Sequence, residues 1–412
     1  GSQVISDQNT TAHAGGDIAL LAEHEEDSRR HVQEETRSGL FSNGGLSITY
    51  GRHRLASSND VAQQTSVPTQ LASIEGDVSI DAGDTHRQSG SALLTPAGDI
   101  DIHAEQVEIL ESRQTGSTSQ MREMEQSGLT LALTSPVIEA AKSIQHLARA
   151  ADDTDSGRMK RLAAASAGLA GVDAYSHIKT GRAKENANLA DKAGGVSINI
   201  SVGASESHYR AESHSDTARG SHITAGGDVR INAAGQGERS DIVIRGSDIR
   251  AEGDASLSAE NEIALLTAES RREEKSENDS QSASVGIGID LGGNGVGFSI
   301  TASAARGEGE SEANELTHRL SHVSAGKTAN LQSGDDTALV GAVVTGQRIQ
   351  ADVGGDLRVE SVRDELEYRA EQHNESVGVS IPIAGASFSA SFSSEDSEAQ
   401  GSYRSVTEQS AI

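Results

Sequence analysis

The chain has 412 residues, with 62 Asp and Glu against 34 Lys and Arg, which gives a formal net charge of −28. Nucleic-acid binding requires clustered Lys and Arg, so this charge predicts a chain that does not bind nucleic acid. The absence of Cys excludes disulfides and thiolate metal sites. Only 34% of the residues are hydrophobic and 2% are aromatic, which is low for a rounded globular domain but sufficient for a solenoid that buries a few aliphatic side chains per rung.

A Gly-Asp pair followed by alternating β-forming residues recurs along the chain. The copies are Gly16-Asp17, Gly76-Asp77, Gly98-Asp99, Gly227-Asp228, Gly253-Asp254, Gly334-Asp335 and Gly355-Asp356. Paired copies lie 21 to 26 residues apart, a spacing typical of solenoids whose rungs stack on one another. We expect each Asp to accept backbone N–H groups at a corner, as Asp commonly does in turns, rather than to bind a metal.

These repeats predict an all-β parallel β-helix of about seven rungs. Its interior should be filled by aliphatic ladders, for which we expect the pairs Val78/Ile80, Val229/Ile231 and Leu357/Val359. The segment Ala233–Ser240 is rich in Gly and polar residues and is predicted to be a corner loop.

Four β-hairpins are predicted to protrude from the solenoid. In the clearest copy, Val285–Leu291 alternates apolar and small residues, Gly292–Gly295 contains the Asn-Gly signal of a tight turn, and Val296–Ile300 returns. We predict hairpin strands of about seven to nine residues. Charged runs such as Ala268–Ser282 are interpreted as separators between the hairpins and the rungs.

One insertion interrupts the second hairpin. Ser135 can cap a helix and Pro136 suits its first turn, and apolar residues follow at helical spacing. We therefore predict three parts: residues 1–134 as β-helix repeats with the first hairpin, 135–193 as an α-helical hairpin, and 194–412 as further repeats and hairpins of the same solenoid. The small-residue face of the second helix could instead dock a partner or enter lipid, although nearby charges such as Lys160 and Asp173 count against lipid.

The amino-acid sequence of these repeats resembles that of a known family. The stretches AGGDVRINAAG, VGIGIDLGGNGVGFSITASAARG and SGDDTALVGAVVTGQRIQADVGGDLRVESVRD resemble the haemagglutinin repeat region of filamentous-haemagglutinin-like exoproteins, including contact-dependent growth inhibition toxins of the CdiA type. The resemblance implies a right-handed parallel β-helix in a filament secreted to the surface of a Gram-negative bacterium. It also implies two partners, an outer-membrane secretion protein of the two-partner pathway and the surface or outer membrane of a target cell, and a role in toxin translocation.

Enzymatic chemistry finds little support in the residues. Polysaccharide lyases also use this class of solenoid, with a basic residue, metal-binding carboxylates and often aromatic side chains that stack on the sugar. This chain has only five Tyr, four Phe and no Trp, which is few for a sugar-binding groove. His318 and His322 have the spacing of two zinc ligands on a helix, without a third ligand nearby. We therefore predict no catalytic residue, no cofactor and no metal site.

The alternating hairpin strands supply the candidate contact residues. On one side of these strands lie Leu129, Leu131, Leu133, Ile198, Ile200, Val285, Ile287, Ile289, Val379 and Ile381. We expect each hairpin to fold back onto the solenoid or onto its neighbour and to bury this side. The same alternation is also typical of outer-membrane strands, which would place these residues against a target envelope. Two functions remain open beside the enzyme: toxin delivery, and a purely adhesive filament.

Overall fold

A computed structural model describes residues 1–42, 46–134, 196–292, 295–384 and 388–412. The predicted helical insertion, 135–193, lies outside the described residues, as does the centre of the Gly292–Gly295 turn. The described chain forms strands throughout, apart from the 3-10 helix Gly237–Arg239 in the predicted corner loop Ala233–Ser240.

The strands follow one another as rungs of three, with a long hairpin after every second rung. The first half of the chain contains β1 (Gln3–Ser6), β2 (Thr10–Ala14), β3 (Ile18–Leu21), the hairpin β4 (Glu23–Phe41) and β5 (Ser47–Val67), β6 (Gln70–Ser73), β7 (Val78–Ala82), β8 (Thr85–Ser89), β9 (Ala92–Thr95), β10 (Ile100–Ala104), β11 (Gln106–Leu110), and the hairpin β12 (Ser112–Thr134) and β13 (Val196–Arg219). The second half contains β14 (His222–Ala225), β15 (Val229–Ala233), β16 (Ile242–Arg245), β17 (Asp248–Ala251), β18 (Ala255–Ala259), β19 (Ile263–Leu266), the hairpin β20 (Ala268–Gly292) and β21 (Gly295–Arg319), β22 (Ser321–Ala325), β23 (Thr328–Ser333), β24 (Thr337–Val340), β25 (Ala342–Thr345), β26 (Arg348–Val353), β27 (Leu357–Glu360), and the hairpin β28 (Asp364–Ala384) and β29 (Ser389–Ser405).

The rung strands stack into three parallel sheets of seven strands each, which confirms the β-helix and its seven rungs. Sheet 1 is β1-β6-β9-β14-β17-β22-β25, sheet 2 is β2-β7-β10-β15-β18-β23-β26, and sheet 3 is β3-β8-β11-β16-β19-β24-β27. Equivalent residues pair without slippage, as where Ile100 lies between Val78 and Val229. At about 4.8 Å per rung the solenoid is about 30 Å tall.

The inward positions form one continuous aliphatic core. Val78, Ile80, Val229 and Ile231 are buried as predicted. Leu357 and Val359 pair in register with the buried Thr337 and Leu339, so the third predicted ladder keeps its inward alignment. They are 47% and 43% exposed, because among the described strands β27 has a neighbour on one side only.

The Gly-Asp motif marks two corners of the solenoid rather than one. Four copies precede strands of sheet 2, and the three at Asp17, Asp335 and Asp356 precede strands of sheet 3. As predicted, the carboxylates accept backbone N–H groups, and the donors belong to the neighbouring rung. Asp99 Oδ1 accepts the N–H of Asp228 at 2.8 Å, and Asp228 Oδ1 accepts the N–H of Asp254 at 2.9 Å. Asp17, Asp77, Asp99, Asp228 and Asp254 each fasten one rung to the next in this way. After Gly334, Asp336 rather than Asp335 accepts the N–H of the next rung, from Asp356.

The corner from sheet 3 back to sheet 1 exists in two forms that alternate along the solenoid. After rungs two, four and six it is a tight turn at Gly90, Gly246 or Gly341, each with φ between 52° and 63°. Such a φ favours Gly because a Cβ would be strained there. After the other rungs, the same corner opens into a hairpin. The position of every hairpin is thus set by the solenoid.

The four hairpins join edge to edge into one antiparallel sheet of eight strands, β29-β28-β21-β20-β13-β12-β5-β4, called the hairpin sheet below. A hairpin leaves the solenoid after every second rung, so successive hairpins start about 9.6 Å apart along the solenoid axis. The two paired strands of one hairpin are also about 9.6 Å wide. Neighbouring hairpins therefore meet without a gap. The sheet is open, because β4 and β29 each pair on one side only among the described strands.

The hairpin strands are much longer than the predicted seven to nine residues. They run for 17 to 25 residues, and the charged run Ala268–Ser282 forms the lower part of β20 rather than a separator. This run has no hydrophobic alternation because both faces of the sheet meet water there. Pro382 pairs with Ser299 beside a register shift, a place where the missing N–H of Pro is tolerated.

Candidate functional site

The structure brings all ten candidate contact residues together on one side of the hairpin sheet. One row across the strands contains Leu131, Ile200 and Ile287. Leu129, Val202 and Val285 form the row below it, and Leu133, Ile198 and Ile289 the row above. Val379 and Ile381 extend these rows onto β28. We call this surface the apolar band.

The expected burial of this side is wrong. Leu131 and Ile287 are each 48% exposed and Ile381 is 51% exposed. The hairpins do pair with their neighbours, but through backbone hydrogen bonds in the plane of one sheet. In-plane pairing satisfies strand edges and covers no side-chain face. The apolar band therefore stays in contact with solvent, and an exposed apolar surface of this extent is typical of an interaction site.

Residues of the first, third and fourth hairpins enlarge the apolar band. The sequence analysis does not include these residues in the candidate face, and all of them are exposed. They are Leu40, Ile48, Tyr50, Phe298, Ile300 and Phe392. Their alternation within the hairpin strands is the signal that could have found them. With them, the band crosses all four hairpins.

The opposite side of the hairpin sheet carries small residues at the same height. Thr49, Thr130, Ser201, Gly286 and Thr301 form one row across the strands. Thr49 Oγ1 and Thr130 Oγ1 lie 2.8 Å apart within hydrogen-bond reach. The two sides of the sheet therefore differ in chemistry, and only one offers an apolar contact surface.

Below the apolar band, the same side becomes charged. Arg54 pairs with Glu34 at 2.9 Å and with Glu125 at 3.4 Å, and Lys275 pairs with Glu310 at 3.4 Å across two strands. The charge marks where the surface must stay in water, since charged groups are costly in an apolar environment.

One histidine in this charged half is shifted toward its protonated form. His373 bonds to Asp396 and lies near Glu375. The hydrogen bond that His373 donates to Asp396, and then the charges of the two carboxylates, raise the pKa of His373. The ring is thus held as part of an ion-pair network on an exposed strand.

The described residues offer no metal centre. His318 and His322 do not share a helix, because His318 is in β21 and bonds to Asp364, whereas His322 is in β22 and bonds to Asp248. No group of three or more His, Asp or Glu side chains in the described ranges could hold a metal ion. In the same ranges, no helix has the length and apolarity required to cross a bilayer.

The chain is similar to proteins with haemagglutinin repeats and to CdiA proteins. A Hemagglutinin repeat family model matches residues 202–379. The Toxin CdiA of Yersinia pestis is 30% identical over 418 residues, which cover 100% of this chain and 12% of that protein. The tRNA nuclease CdiA of Escherichia coli strain NC101 is 31% identical over 417 residues, again 100% of this chain and 12% of the relative.

A relative with a different named activity matches equally well along the chain. The deoxyribonuclease CdiA of Yersinia pseudotuberculosis serotype O:3 strain YPIII is 29% identical over 421 residues, which cover 100% of this chain and 38% of that protein. The chain therefore spans between about one eighth and two fifths of the length of these curated relatives.

Proposed function

We propose a filament and delivery role for this chain, which is a haemagglutinin-repeat region of the filamentous-haemagglutinin and CdiA type. In this proposal the β-helix is a non-enzymatic stalk segment of a toxin secreted through an outer-membrane partner to the surface of a Gram-negative cell. The hairpin sheet contacts the outer membrane of a target cell and takes part in toxin translocation.

The names of the relatives support a non-enzymatic role for this region. A tRNA nuclease and a deoxyribonuclease match the whole chain at 31% and 29% identity. A region that is equally similar in proteins with different named activities does not distinguish between those activities. We infer that the nuclease chemistry of such proteins resides outside the matched region.

The exposed apolar band carries the membrane proposal. On β20 its rows extend from Val285 to Leu291, a height of about 20 Å at about 3.3 Å per residue. The opposite side of the sheet carries Ser, Thr and Gly at the same height, so only one side suits contact with hydrocarbon. We therefore propose that the band lies on the membrane with its apolar side toward lipid, and that the charged half remains in water.

Vesicle binding tests this proposal directly. We expect the full 412-residue chain to float with vesicles of Escherichia coli polar lipids, and Ile200→Asp combined with Ile287→Asp to abolish flotation, because both carboxylates would enter the apolar contact. The matched control places two carboxylates on the opposite side at nearly the same height, Ser201→Asp with Ser284→Asp. Equal loss in both variants, or no binding by the parent chain, would contradict the proposal.

A purely adhesive filament is the second candidate. A hollow of about 870 Å³ on the charged half, lined in part by His208, Arg210 and His373, favours a soluble ligand there. In that case target-cell binding would survive Ile200→Asp with Ile287→Asp and would be lost on His208→Ala with His373→Ala.

A further inference from the structure

A trough of small side chains runs across the hairpin sheet at the lower border of the apolar band. One row of paired residues crosses the strands at this height: Ser38, Arg52, Ser127, Ala204, Ala283, Ala304, Val377 and Phe392. Its centre consists of Ser127 and three alanines on four successive strands. Larger residues occupy the rows on both sides, so the centre is lower than its surroundings. We call this depression the alanine trough.

The two walls of the alanine trough have opposite chemistry. The upper wall is the apolar row that contains Leu129, Val202 and Val285. The lower wall contains Glu125, Glu206, Gln281 and Arg306. The trough floor and the lower wall line an open hollow of about 880 Å³, and the apolar row lies directly above it in the strand register. Such a trough suits an amphiphile whose hydrocarbon part touches the upper wall and the floor.

The length of the alanine trough matches a hydrocarbon chain. From Ser127 to Val377 the row crosses five strands, which is about 19 Å at about 4.8 Å per strand spacing. The chains of one membrane leaflet span about 15 Å, half of a core about 30 Å thick. An extended acyl chain would therefore fit between Ser127 and Val377.

Arg52 lies next to Ser127 at one end of the trough floor, and its charge is not neutralised by an ion pair with a described carboxylate. Its side chain is exposed and forms no ion pair with a described carboxylate, whereas Arg54 pairs with Glu34 and Glu125, and Arg306 pairs with Glu308. A guanidinium binds phosphate oxygens through parallel N–H donors. Arg52 therefore offers an anion contact next to an apolar floor.

We propose that the alanine trough binds an acyl chain of a phosphate-bearing membrane lipid, with the lipid phosphate at Arg52. This inference rests on the proposed membrane contact and specifies its ligand. A second copy of the chain fits the same surface poorly. Face-to-face pairing would bring together charged halves that contain Glu277, Glu308 and Glu371 on one side, and like charges oppose such a contact.

Binding of a single lipid in solution tests the proposal separately from vesicle flotation. The probe is monomeric lysophosphatidylglycerol below its micelle concentration, titrated into the full chain by calorimetry. We expect one molecule per chain and at least fivefold weaker binding for Arg52→Gln. The matched control is Arg122→Gln on β12, an exposed Arg on the opposite side that also forms no ion pair with a described carboxylate. Its affinity should equal that of the parent chain.

Two further arms identify what the trough recognises. Ala283→Phe and, separately, Ala304→Phe should fill the floor and prevent binding while leaving the circular dichroism spectrum unchanged. Inorganic phosphate alone should not displace the lipid at equal concentration. Equal binding of a monoacylglycerol, which has the acyl chain but no phosphate, displacement by inorganic phosphate, or unchanged affinity in both Phe variants would overturn the proposal. Vesicle flotation by the parent chain would then still support membrane contact without this lipid site.

Discussion

The solenoid and the hairpin sheet are built from the same backbone pairing but are stabilised in different ways. Every inner rung of the solenoid points aliphatic side chains such as Ile102 and Ile244 into a closed core. The hairpin sheet is a single layer whose residues remain exposed on both sides over most of its height. The solenoid therefore depends on hydrophobic burial, whereas the hairpin sheet depends on strand pairing and on the spacing that the solenoid imposes.

The largest expected difference between the two regions is in the effect of truncating an Ile. Ile102→Ala should lower the free energy of unfolding by about 2–5 kcal/mol, because it leaves a cavity in a close-packed core. Ile287→Ala, at a site that is 48% exposed, should lower it by less than about 1 kcal/mol. Urea denaturation of both variants measures the contrast. Equal losses would show that the hairpin sheet is packed against something that stabilises it like a core.

Acid should weaken the solenoid at His86, which is fully buried in β8 between Ile18 and Val107. Both ring nitrogens lack a hydrogen-bond partner, and among the described residues no other titratable side chain is fully buried. Burial lowers the pKa of His86 from 6.5 to about 4. The unfolded chain therefore binds a proton at a higher pH than the folded chain does.

The stability of the folded state should be complete above pH 6.5 and should fall as the pH drops toward 4. The expected loss is about 3 kcal/mol, since each unit of pKa difference corresponds to about 1.4 kcal/mol. Unfolding measured at intervals between pH 7 and pH 4 checks this. His86→Leu, which continues the aliphatic ladder, should remove this part of the pH dependence. An unchanged pH profile in that variant would assign the acid sensitivity to other groups.

A smaller effect is expected at the tight corners that alternate with hairpins. Gly246 has φ +52°, and an added Cβ would lie 2.5 Å from the Cβ of Ala268 at the start of β20. Gly246→Ala should cost about 1–3 kcal/mol through backbone strain and this contact. Gly237→Ala is the control, because Gly237 has φ +59° but open space around it. Thermal unfolding should rank Gly246→Ala as the more damaging change, and the reverse order would refute the crowding argument.

The sequence predicts the solenoid better than the hairpin sheet for a physical reason. The Gly-Asp corners arise from local turn chemistry, and the aliphatic alternation arises from burial of one side of each strand. Both can be recognised as recurring residue patterns in the sequence. The lower part of β20, Ala268–Ser282, buries neither face and so leaves no such pattern. Its strand conformation comes from its neighbours β13 and β21.

The candidate site was predictable in part. The ten alternating aliphatic residues could be placed on one side of the hairpins, but their exposure depends on how the hairpins pair. That arrangement follows from a hairpin leaving the solenoid after every second rung, a long-range relation that no short stretch contains.

Disulfide trapping between hairpins tests the single continuous sheet most directly, because the chain has no Cys of its own. Ser207 on β13 and Ser280 on β20 are paired across the boundary between two hairpins. Ser207→Cys with Ser280→Cys should therefore form a disulfide on mild oxidation, as should the control pair Ser276→Cys with Ser311→Cys within one hairpin, where the hydroxyls are 2.7 Å apart. A disulfide in the control alone would show hairpins that protrude separately and would contradict the continuous apolar band.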